Sequence, residues 1–138
     1  MLSIAVPGSS VPGPAVPDIV VLGANLDIVD ALLTSGLSNV VLACSTDALR
    51  HAMSRAGFSG TTVLIDARHH RVLPALLRTH RHLFERSNVV IWGDALDREN
   101  AVESCLRSLV WCSAALTPSA VAGLAASHMS KAPEARAA

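Results

Sequence analysis

Five times along this chain a short apolar run is followed by a longer stretch whose apolar residues recur at helical spacing. The runs are Ile19–Leu22 and residues 39–43, 61–66, 88–92 and 110–114. Each is too short for a helix and is read as a strand, and the uninterrupted β-branched run at 61–66 predicts a strand buried on both faces. Residues 26–35 carry apolar side chains at 28, 29, 32 and 33, with Asp27 near the start and Gly36 after the end, so a capped amphipathic helix is predicted. Further helices are predicted over 46–56, with Ser45 or Thr46 as cap, and over 71–84, with Pro74 tolerated in the first turn. The pattern predicts another over 96–109, with Leu96, Val102, Cys105, Leu106 and Leu109 inward. The last opens at Thr117 and Pro118, a cap followed by proline, and runs to about 129.

Strands alternating with helices imply a parallel sheet covered on both faces and joined by right-handed crossovers. The folded unit expected from this pattern spans 18–129. Residues 1–17 carry four prolines, two glycines and several serines, so they read as a flexible leader without regular structure. Residues 130–138 read as a flexible tail or linker.

Composition narrows the classes. Net charge is zero, with 11 basic and 11 acidic residues, so there is no electrostatic footprint for nucleic acid. No apolar run approaches the ~20 residues that span a bilayer, and the start lacks a charged signal-peptide region. Three cysteines without CxxC spacing read as reduced, buried thiols of a cytoplasmic protein.

The residue with most chemical promise is Asp66, which ends the strand TTVLID. In open α/β sheets ligands bind outside the carboxyl ends of the strands, which is where Asp66 falls. Gly23-Ala24-Asn25 follows the first strand but lacks the GxGxxG spacing that brings backbone to a pyrophosphate. His69, His70, His80 and His82 cluster among arginines. The pair at 80 and 82 points to different sides of a helix, so a solvated basic face or a pH-sensitive contact surface is expected rather than a metal site. Cys44 and the serines have no partnering base or GxSxG elbow. Asp94, Asp97, Arg98 and Glu99 open a helix, where acidic side chains suit the macrodipole.

Five βα units in about 110 residues with an aspartate ending the third strand, in IDARHH, resemble the receiver domain of bacterial two-component response regulators. LTPSAVAGL, at 116–124, is similar to the opening of the last helix of receivers that precede a helix-turn-helix output. The resemblance implies a flavodoxin-like (βα)5 fold, a three-layer sandwich with strand order 2-1-3-4-5. It implies that Asp66 occupies the phospho-acceptor place. The acidic pair that holds Mg²⁺ in that family falls on Gly23 and Ala24, with Asn25 next. The hydroxyl residue after strand four falls on Gly93, and the lysine ending strand five on Ser113 or Ala114. One carboxylate with an amide makes a poor Mg²⁺ site, and phosphoryl transfer rests on the missing donors. The aromatic switch position falls on Trp111, which reads as a packing residue or an interface anchor.

The expectation is therefore a phosphorylation-independent receiver-like module with no cofactor, no metal and no enzymatic activity. Its pocket of Gly23, Ala24, Asn25, Asp66, Gly93 and Ala114 is vestigial. It acts as a homodimer through the segment from about 96 to 124, with Trp111, Arg98, Arg107, Leu116 and Val121 as switch or interface residues. Any DNA-binding output lies outside these residues. The alternative is a flavodoxin-like sensor holding a small anionic metabolite between Asn25, Asp66 and Gly93.

Overall fold

The computed structural model describes residues 2–5, 17–37, 39–56, 61–67, 73–103 and 108–137. Its strands are β1 (Leu2–Ala5), β2 (Ile19–Leu22), β3 (Val40–Ala43), β4 (Thr62–Asp66), β5 (Asn88–Gly93) and β6 (Leu109–Ser113). Its helices are α1 (Leu26–Thr34), α2 (Thr46–Ala56), α3 (Leu73–Thr79), α4 (Arg81–Phe84), α5 (Ala95–Glu103) and α6 (Pro118–Ala137). All strand pairs are parallel, in the order β1-β3-β2-β4-β5-β6. The five strands from β2 onward thus give the expected 2-1-3-4-5 order, and the fold is of the flavodoxin-like α/β type.

The alternation of the strands sorts the core into two layers. Val20, Leu22, Val63, Ile65, Val89 and Ile91 face Leu49 and Met53 of α2, Leu76 and Leu77 of α3 and Phe84. Ile19, Val21, Val40, Leu64, Val90 and Trp92 face Ile28, Val29 and Leu32 of α1 and Val121, Ala122 and Ala125 of α6. Each fully buried aliphatic side chain contributes about 1.5–3 kcal/mol, and α5 lies beside α3 against β5 and β6.

Local chemistry sets the helix ends. Asn25 Oδ1 accepts from the backbone N–H of Asp27 at 2.8 Å and of Ile28 at 3.3 Å, closing the start of α1. At its end Gly36 takes φ 101°, Gly36 N–H donates to Leu33 O and Leu37 N–H to Leu32 O, a Schellman arrangement that needs glycine. Ser45 Oγ accepts from Ala48 N–H at 3.1 Å and Thr117 Oγ1 from Ala120 N–H at 3.2 Å, capping α2 and α6. At the amino edge of the sheet Ser108 Oγ donates to Asn88 Oδ1 at 2.8 Å. His128 Nε2 lies 3.1 Å from the same hydroxyl, and with the hydroxyl proton used on Asn88 it is the imidazole N–H that donates. This links α6 to β5 and β6.

Several expectations are corrected. Leu2–Ala5 is a strand, not part of a structureless leader: the tetrapeptide LSIA precedes the first proline and pairs with the edge of β3. The helix expected over 71–84 is interrupted at His80, whose φ of −112° and ψ of 27° leave the helical region. The last helix does not stop near 129 but continues to Ala137, past Pro133. Leu96, expected inward, is 63% exposed, and Cys44, expected buried, is exposed. Val102, Cys105 and Leu106 have side chains outside the described residues. None of the helices among the described residues is long and apolar enough to cross a membrane.

Candidate functional site at the carboxyl edge

The parallel sheet brings the ends of β2, β4, β5 and β6 to one edge. Asp66, last residue of β4, pairs in register with Trp92 and is 4% exposed. Gly23, just past β2, lies so close to it that a Cβ built there would sit 3.0 Å from Asp66 Cβ. Asp66 therefore packs tightly against the Gly23 backbone, where an added side chain would have to displace it by a few tenths of an ångström. Ala24 is exposed, and Asn25 spends its amide oxygen on the α1 cap. Asp27 stands in the first turn of α1 and is exposed.

Gly93 closes the other side. A Cβ there would meet Ala67 Cβ and Asp97 Cβ, each at 2.9 Å, and would overlap the Asp97 carboxylate. That carboxylate is fixed by a reciprocal cap: Asp94 N–H donates to Asp97 Oδ2 at 2.9 Å, and Asp97 N–H donates to Asp94 Oδ1 at 3.0 Å. Burial pushes the Asp97 carboxyl above the ordinary aspartate value, and the neighbouring Asp94 charge adds to it against the opposing backbone hydrogen bond. The sequence showed these acids only as helix-start charges; a D-x-x-D directly after a strand-ending glycine is the signal for the box.

Trp111, on β6, donates its indole N–H to Gly93 O at 3.1 Å. Ala114 N–H donates to the same carbonyl at 2.8 Å. The ring is half-buried against the α2–α3 layer, and the Arg98 guanidinium lies 5.3 Å from its centroid, within cation–π range. The structure thus joins Gly93 and Ala114, expected in the pocket, to Trp111 and Arg98, expected as switch or interface residues, in one cluster whose contacts cross three elements. Leu116 is half-buried on the α1–α6 layer. Val121 is fully buried in that layer, so its expected interface role is corrected: it is a core residue. The side chain of Arg107 lies outside the described residues.

The remaining candidates separate from this edge. His80 and His82 flank the start of α4, and burial, then Arg50, then His82, lower the His80 pKa against an opposing pull from Asp47. His69 and His70 lie outside the described residues. Among the described residues no three His, Cys, Asp or Glu side chains converge on a metal-sized site. Lys131 is the only lysine of the chain and belongs to α6, far in sequence from Ser113 and Ala114.

The class defined by this architecture is a doubly wound parallel α/β domain with one buried aspartate at its carboxyl edge. No protein-family model matches the chain, and no curated protein or solved structure matches it.

Proposed function

We propose that the chain is a receiver-like regulatory domain that works without phosphorylation, as a protein-interaction module of a bacterial signalling or transcription-regulatory protein in the cytoplasm. The observation that carries this reading is the closure around Gly93. In receivers the residue after strand four offers a hydroxyl to the phosphoryl group and moves with it. Here that residue has no side chain, and the Asp97 carboxylate stands where one would project. Its carbonyl is held by Trp111 and Ala114. Gly23 and Ala24 supply no carboxylates for Mg²⁺, and no lysine is near in sequence to complete the charge. Asp66 then serves the packing of the sheet edge rather than group transfer, and the domain is not an enzyme.

Homodimerisation through α5, β6 and α6 fits this reading. Leu96 on α5 and Leu124 on α6 are 63% and 45% exposed, and Leu109 and Val110 of the edge strand β6 are partly exposed. Apolar residues of this size on neighbouring elements are the material of an interface core. The output, if DNA-binding, belongs to a segment beyond these residues. The anion-sensor alternative draws less support, because Asn25, Ser45, Asp94 and Thr117 already occupy the helix N-termini that would greet an anion.

The test is incubation with acetyl phosphate and Mg²⁺ followed by intact mass. The expected spectrum shows no phosphoryl adduct. An adduct that disappears in Asp66→Asn would overturn the proposal.

A further inference from the structure

The crossover between the first two strands is unlike the others. β1 and β2 lie on opposite sides of β3 and pair with the same four residues of it, Leu2 and Ile19 both with Val40, for example. The chain leaves β1 at the carboxyl edge and enters β2 at the amino edge. It must therefore travel back the length of β3 and across it. The step from β1 to β2 runs in the same direction across the sheet as the step from β3 to β4, which α2 makes. Parallel crossovers are right-handed in about 98% of cases, so both steps call for the same face. That face is taken: α2 lies against β1, β3 and β2 together. A link within one chain would have to climb over a helix about 10 Å thick or adopt the rare left hand. The 13 residues that form the link, 6–18, include Pro7, Pro12, Pro14 and Pro17. By composition, a proline-rich segment of this length has a reach of roughly 40 Å, at about 3.1 Å per residue, enough to arrive at a second copy.

We infer that Leu2–Ala5 is exchanged between two copies of the chain, each β1 seating on the β3 edge of the other. The exchange gives the same sheet, register and buried surface as the single-chain arrangement and removes the obstructed crossover, which is the condition under which strand swapping is cheap. Every backbone group that β1 satisfies on β3 is satisfied equally by the partner's copy. The inference goes beyond the proposed function and uses the opposite edge of the sheet from β6.

Disulfide trapping at the β1–β3 register reads the exchange directly. Ser3 and Val41 are paired neighbours, and adjacent parallel strands stand about 4.8 Å apart, within disulfide reach. The full chain carrying Ser3→Cys and Val41→Cys, with Cys44→Ser and Cys105→Ser, is oxidised and run on a denaturing gel without reductant. The expected product is a covalent dimer with all engineered thiols consumed. Association through α5–β6–α6 leaves no covalent trace, so the two interfaces are told apart. A monomer with both engineered thiols consumed overturns the inference, as does a product with free thiols. Should Val41→Cys fail to fold, Ala5→Cys leaves β3 intact. Its partner Ala43 precedes the exposed Cys44, so a short bismaleimide joins residues 5 and 44. A dimer is again expected, and an internally linked monomer or no cross-link contradicts exchange.

Discussion

Replacing Gly93 with alanine probes the closure on which the functional reading rests. Gly93 does not adopt a positive φ, so alanine meets no backbone strain there. The cost is packing alone: the new methyl comes within 2.9 Å of both Ala67 Cβ and Asp97 Cβ. Neither atom is the free end of a flexible side chain, so the first turn of α5 has to shift. Overpacking of this kind costs typically ~1–3 kcal/mol. Alanine also removes unfolded-state freedom and returns about 0.4–1 kcal/mol. The expected net loss is about 1–2 kcal/mol, which lowers the Tm by roughly 3–8 °C for a chain of this size. Urea unfolding gives the free energy. The cycle with Asp97→Ala identifies the source, since removing the carboxylate relieves one of the contacts. The double variant should fall short of the summed single losses by about 0.5 kcal/mol or more. A Gly93→Ala protein as stable as the parent, or additive with Asp97→Ala, would refute the steric argument and reopen that position to a side chain.

Three further outcomes are expected. Trp111→Phe removes the indole hydrogen bond to Gly93 O while keeping most of the ring, and should cost about 0.5–1.5 kcal/mol in urea unfolding; a neutral result would mean that the bond does not hold the loop. Asn25→Ala uncaps α1 and should cost about 1 kcal/mol, whereas Asn25→Asp should retain stability. The raised pKa of Asp97 means that the folded state binds its proton more tightly than the unfolded chain. Its contribution is therefore full below the unfolded value and lost as pH rises through the folded one. Asp97→Asn, which retains an acceptor for Asp94 N–H, should gain on the parent across that rise; a constant difference from pH 3 to pH 7 would contradict the shift.

The layered architecture was legible because it depends on periods within short windows. Uninterrupted runs such as TTVLID marked doubly buried strands, and Asn25, Gly36 and Thr117-Pro118 marked helix ends by chemistry that acts over two or three residues. β1 was missed because four residues, LSIA, beside a proline-rich stretch carry no pattern of their own; only pairing with β3 makes them a strand. The break at His80 and the exposure of Leu96 depend on how α3, α4 and α5 meet the sheet, which no local period records. At the site, the position of Asp66 followed from the end of its strand. The contact of Trp111 with Gly93 and Arg98 joins residues 18 and 13 positions apart across three elements, and has no sequence signature.

Solution mass by light scattering, with and without Mg²⁺ and beryllofluoride as a phosphoryl mimic, tests the central claim most directly. The expected result is an assembly, a dimer or a multiple of it, whose mass neither reagent changes, as befits a module whose pocket is closed. A monomer that dimerises only when both are present would contradict the account and make the chain a conventional phosphorylation switch.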